Sequence, residues 1–183
     1  MVIIMNIEKT RQIALAALFA ALCCVLTMFP QIPTPATNGF VHLGDSLVLV
    51  SAWALGPVYG PLAAGIGSGF ADLFSGYAHY MPATLIIKYL VALVAWFTYK
   101  AFSSLKINNI VSRVLSGILG ELVMILGYFL YSALLLGDKI SAALTSIPSN
   151  AVQGLSGIVV GVIVISLIKN VPQLKSWLPS LKA

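Results

Sequence analysis

Residues 39–90 read GFVHLGDSLVLVSAWALGPVYGPLAAGIGSGFADLFSGYAHYMPATLIIKYL, and this stretch decides the fold. It is apolar enough to lie in a bilayer, yet it holds His42, Asp45, Asp72, His79 and Lys88 at or near membrane depth. Ionisable groups are costly there, so they mark a site. Gly56-Pro57 and the segment Gly76 to Pro82 punctuate the run and divide it into three spans, with the polar residues gathered toward one side. That pattern predicts the wall of a polar pocket opening on one face of a membrane protein. A single kinked helix across Gly56-Pro57 is the alternative, but it would overshoot a membrane about 30 Å thick.

The rest of the chain agrees. Hydrophobic residues make up 60% of the 183 and charged residues only 8%, against roughly 25% charged in soluble domains. A spanning helix takes about 20 apolar residues. The length therefore predicts an all-α integral membrane protein, a compact bundle of six transmembrane helices in one domain over residues 1–183, multi-pass in the cell membrane. The net charge of +5 belongs to loops on one side rather than to nucleic-acid binding. Cys23 and Cys24 are adjacent in the first apolar run and lack metal-site spacing. The N-terminal apolar run is long and has no convincing cleavage site, so it reads as the first helix and not as a signal peptide.

The first helix spans about residues 10–29 and ends at Pro30. Ala16 and Ala20, and likewise Ala17 and Ala21, are small residues four apart, suited either to packing inside the bundle or to docking a separate subunit. Residues 30–42 form a loop able to fold over a pocket. Helices follow over 43–55, 58–75, 83–101, from just after Asn109 to about 136, and from Ser146 or Pro148 to Lys169, and the tail 170–183 lies along the interface. Lys9, Arg11, Lys100, Lys106, Arg113, Lys169, Lys175 and Lys182 fall on one side of this arrangement and only Lys139 on the other, with Lys88 inside. The positive-inside rule then makes both termini cytoplasmic and the loops at 30–42, 76–82 and 137–145 external.

Lys88 is expected to pair with Asp72 or Asp45, or to hold a polar ligand together with one of them. Glu121 lies nearer the cytoplasmic half, where it holds helices together or stays neutral. Asn150 and Gln153, placed in the first turn of the last long helix, can read ring nitrogens and hydroxyls as donor and acceptor; the simpler role is capping by Ser149 or Asn150. Tyr77, Tyr80, Trp53, Tyr128 and Tyr131 supply aromatic faces. No catalytic set appears: there is no Walker A sequence, no HExxH, and no histidine in a serine-containing motif, so neither an enzyme nor a cofactor is expected.

HLGD (42–45), LGPVYG (55–60), GSGFADLFSGY (67–77), PATLIIK (82–88) and PSNAVQG (148–154), together with the alanine-rich first helix, resemble the substrate-binding S components of energy-coupling factor (ECF) vitamin transporters over essentially the whole chain. The resemblance implies six helices binding a vitamin between the outer loops. It implies a first helix that docks, through Ala16, Ala17, Ala20 and Ala21, on a transmembrane coupling subunit carried by two ATPases. Within the family the chain looks most similar to the pyridoxine or hydroxymethylpyrimidine group. The expected ligand contacts are Lys88, Asp72, Asn150, Gln153, Asp45, His42, His79 and Tyr80. The competing readings are a stand-alone proton-coupled carrier using Asp45, Asp72 and Glu121, and an S component for another vitamin such as riboflavin.

Overall fold

The computed structural model describes residues 7–34, 39–137, 139–178 and 180. The elements in chain order are α1 (Ile7–Met28), β1 (Ile32–Thr34), β2 (Gly39–Val41), α2 (Gly44–Phe74), α3 (Met81–Ser104), α4 (Asn109–Leu134), α5 (Ile140–Leu144), α6 (Ser146–Lys169) and α7 (Pro172–Trp177). Five stretches are long and apolar enough to cross a membrane: Ile7–Met28, Gly44–Phe74, Met81–Ser104, Asn109–Leu134 and Ile140–Lys169. Asp138, in the expected turn at 137–139, lies outside the described residues, as do 35–38 of the first loop.

The 31 residues of α2 are one run with one break. Gly56 sits at φ 86°, ψ −170°, a backbone that residues with a Cβ avoid, and Pro57 follows it as the first residue of a new helical leg, where its missing N–H costs nothing. Ser51 Oγ donates to the Gly60 carbonyl at 3.1 Å. Nine residues of straight helix would separate those positions by about 13 Å, so the two legs fold back on each other. Every residue of the first leg, 44–55, is buried. At roughly 18 Å this leg is too short to bridge the hydrocarbon region, and it is sheathed by protein instead of lipid.

Around this leg the other helices take their places. α1 and α3 pack on α2, α6 packs on α2 and α4, and α4 closes against α3. α3 starts with Pro82 in its first turn, and the Asn108 side chain caps α4 by accepting from the N–H groups of Ile110 and Val111. The expected loop at 30–42 is in part a β-hairpin: Ile32 pairs with Val41 and Thr34 with Gly39, antiparallel. Three-residue strands with a proline between them carry too little alternation to be read from sequence. The hairpin leads directly into His42 and the buried start of α2.

Candidate functional site

The site is assembled by α2, α3, α4 and α6. Gly157 of α6 lies so close to α2 that a methyl group there would sit 2.8 Å from Asp45 Cβ. This close approach lets a side chain one turn earlier, Gln153, reach across the interface. Gln153 Nε2 donates to Asp45 Oδ2 at 2.7 Å, and its Oε1 accepts from the His42 backbone N–H at 3.2 Å. Lys88 Nζ forms an ion pair with Asp45 Oδ1 and also donates to Met124 Sδ at 2.9 Å. Asp45 is 0% and Lys88 1% exposed, so this is a buried pair held in place by an amide and a thioether, and Asp45 and Met124 take two of the three Lys88 N–H groups.

His42 closes the hairpin side of the network. Its Nδ1 accepts from the Gly44 N–H at 3.0 Å, which needs a neutral ring. Burial pushes its pKa down to about 4, against the opposing pull of Asp45.

A polar column leads away from Lys88. Tyr80, Thr84 and Lys88 are four residues apart and share one face of α3. Thr84 and Tyr128 hydroxyls are hydrogen-bonded at 3.0 Å, the Tyr128 ring lies 5.6 Å from Lys88 Nζ, and the Tyr80 ring stands 5.5 Å from that of Tyr131. Tyr131 in turn donates to the His79 carbonyl. The chain of groups therefore runs from the buried ion pair to the aromatic loop at 76–80.

The expected site residues are thus only partly brought together. Asp45, not Asp72, pairs with Lys88; Asp72 is buried with Oδ2 unpartnered. His79 is exposed and stacks at 4.7 Å on Tyr80. Asn150 is half-buried and joins none of the bonds of the network. Because α6 begins at Ser146, Asn150 and Gln153 lie in its second turn, not its first. Neither Ser149 nor Asn150 caps that helix, whose N-cap Thr145 makes no capping bond. Glu121 is buried against Gly154 with both carboxyl oxygens unpartnered. Met124, Thr84 and the His42 backbone were missed; Met124 looks in sequence like any apolar helix residue, and only its place opposite Lys88 makes it a ligand of the ammonium.

Of the alanines, Ala16 and Ala20 are half-buried against the core, with the Ala20 carbonyl on Gly67, while Ala17 and Ala21 are exposed. An apolar cavity of about 370 Å³ lies elsewhere, between α3 and α4, lined by Ala83, Ile87, Gly127, Leu130, Tyr131 and Leu134 among others. Among the described residues no three His, Cys, Asp or Glu side chains are grouped to hold a metal ion.

Residues 7–170 match the family described as "ECF-type riboflavin transporter, S component". The chain belongs to the S-component family of ECF-type transporters. A Pyrococcus woesei protein called "Uncharacterized protein in gap 3'region" is 35% identical over 139 residues, 75% of this S component and 87% of the relative. The fold is that of the S component of a bacterial ECF transporter (TM-score 0.67, 21% identity, 88% of this chain and 97% of that one). It is also that of the S component for biotin from an ECF-type ABC transporter (TM-score 0.60, 21% identity, 91% and 95%). This S component is accordingly a multi-pass membrane protein, the substrate-binding part of an importer and not an enzyme, and such components work with an ECF module of coupling and ATPase subunits.

Proposed function

We infer that this S component captures a small heteroaromatic alcohol, of the pyridoxine, pyridoxal or hydroxymethylpyrimidine kind, from outside the cell membrane. It then delivers the ligand by reorienting with a coupling subunit and two ATPases. In this reading the two legs of α2 are counted as separate helices, the short first leg dipping into the bundle and the second returning, which gives six helices in a single domain. Both termini are cytoplasmic, and the loop at 76–80 and the β-hairpin face outward. The observation that carries the ligand class is the network of Asp45, Lys88 and Gln153 at the foot of the Tyr80–Thr84–Tyr128 column. An ammonium, a carboxylate and an amide offer donor and acceptor to a ring nitrogen and a hydroxyl, and the tyrosines offer faces to the ring. Asp72, Asn150, His42 and His79 border the path of entry.

Calorimetry on the detergent-purified chain tests this. Pyridoxine, pyridoxal or hydroxymethylpyrimidine should bind in the micromolar range or tighter. A second reading, riboflavin, is favoured by the description of the matching family, and binding of riboflavin alone would replace the first. Uptake that persists without ATPase subunits would support the proton-coupled carrier instead.

The docking face is proposed on the outward alanines. Ala17→Leu or Ala21→Leu should abolish transport and leave ligand binding intact, since a bulky residue blocks close approach of a partner helix. Ala20→Leu is expected to disturb α1–α2 packing itself, because Ala20 faces Gly67. Loss of binding in Ala17→Leu would make that stripe internal too.

A further inference from the structure

The end of the bundle opposite the tyrosine cluster holds a second buried cation. Arg113 of α4 is 1% exposed, and its Nε and Nη2 have no hydrogen-bond partner. Its guanidinium lies 5.2 Å from the Tyr99 ring and 6.0 Å from that of Trp53. The chain has five acids, at 8, 45, 72, 121 and 138, and among the described residues no carboxylate is within ion-pair distance of Arg113. Other unpartnered donors lie on the face of α3 that carries Tyr99. The Trp96 indole nitrogen, beside Gly56, and the Ser103 hydroxyl are buried atoms without partners. Trp96, Tyr99 and Ser103 share one face of α3. Asn109 Nδ2 donates to the Tyr99 hydroxyl at 3.1 Å, and Lys100 and Lys106 stand at the same end.

A buried guanidinium without an anion is strongly disfavoured, and two aromatic faces offset only part of its desolvation. Its fork of N–H groups matches a tetrahedral or planar oxyanion. Arg113 lies in the second turn of α4, close to the short turn that joins α3 to α4. Basic pockets between helices near the membrane surface take anionic lipid. We propose that Arg113 is the centre of an oxyanion site that takes the phosphate of an anionic lipid head group or a free phosphate.

The site lies about 16 Å along α3 from Lys88 and is independent of the vitamin reading. The test uses the full chain in nanodiscs of phosphatidylcholine alone or with phosphatidylglycerol. Wild type should melt about 4 °C or more higher in the anionic discs, and native mass spectrometry should show phosphatidylglycerol retained after delipidation. Arg113→Gln should lose the shift and the retained lipid, whereas Lys139→Gln, an exposed change at the opposite end of α4, should keep both. If millimolar inorganic phosphate reproduces the shift in phosphatidylcholine discs, a free oxyanion is the occupant; if only the lipid does, the head group is. An equal shift in Arg113→Gln, or neither a shift nor retained lipid in wild type, overturns the proposal. Should Arg113→Gln fail to fold, the wild-type lipid and phosphate measurements still decide it.

Discussion

Lys88 and Arg113 are both wholly buried cations on neighbouring helices, but their surroundings differ. Lys88 has a carboxylate, a thioether and an aromatic face, and its acid is held in turn by Gln153. Arg113 has two aromatic faces and, among the described residues, no acid within ion-pair distance. A carboxylate partner makes the Lys88 network part of the fold, which weakens when any member is removed. Lacking such a partner, Arg113 is removable without collapse and open to an anion from outside the chain. The contrast predicts opposite responses to mutation.

Asp45→Ala should have the largest effect. It leaves Lys88 charged and unpaired in the interior, which costs about 3–5 kcal/mol, and it frees Gln153 Nε2. Thermal unfolding in detergent should show a large loss of stability together with loss of ligand binding. Asp45→Ala combined with Lys88→Met should recover much of the stability and none of the binding. Wild-type stability in Asp45→Ala would mean that the pair contributes nothing to the fold.

The hairpin end of the same network should respond to pH. Neutral His42 accepts the Gly44 N–H, and its folded-state pKa of about 4 lies below the ordinary 6.5. The unfolded chain takes up a proton between those values and the folded chain does not. Stability should therefore be fully present above about pH 6.5, fall as the pH is lowered toward 4, and lose at most roughly 3 kcal/mol from this group. Unfolding midpoints across that window check the slope, and His42→Gln should flatten it. An unchanged slope in that variant would place the titrating group elsewhere.

Gln153→Ala is expected to be milder. It leaves the His42 N–H and one Asp45 oxygen unpaired, which costs about 1–3 kcal/mol of stability, and the loss of the amide's own bond to the ligand should weaken binding roughly tenfold to a hundredfold. Asn150→Ala, outside the network, should change binding less. Equal losses from the two would mean that ligand, once bound, recruits Asn150.

The sequence made the membrane class, most helix limits and the pairing of Lys88 with an acid readable, because apolar runs, Gly-Pro breaks and ionisable residues at membrane depth are each local signals. It did not separate Asp45 from Asp72 as the partner. That choice depends on the fold-back at Gly56 and on the close approach at Gly157, which are set by tertiary packing. Nor did it separate the two alanine stripes, since offsets of one residue on α1 decide which faces Gly67. Arg113 was read as one of eight basic residues on the cytoplasmic side. Its place beside the Ser112, Ser116 and Gly120 stripe, which packs inward, was the available clue to its burial.

The smallest expected effect is at Arg113 itself. In detergent free of anionic lipid, Arg113→Met removes two cation–π contacts but also a desolvated charge with no counter-ion, and methionine fills much of the same apolar space. These terms nearly cancel, so the unfolding free energy should stay within about 1 kcal/mol of wild type, on the stabilising side. The same substitution at Lys88 strands Asp45 and should cost several times more. Parallel melts of Arg113→Met and Lys88→Met make the comparison directly. If Arg113→Met is as damaging as Lys88→Met, the aromatic cage alone satisfies the guanidinium, and the two buried cations are equivalent after all.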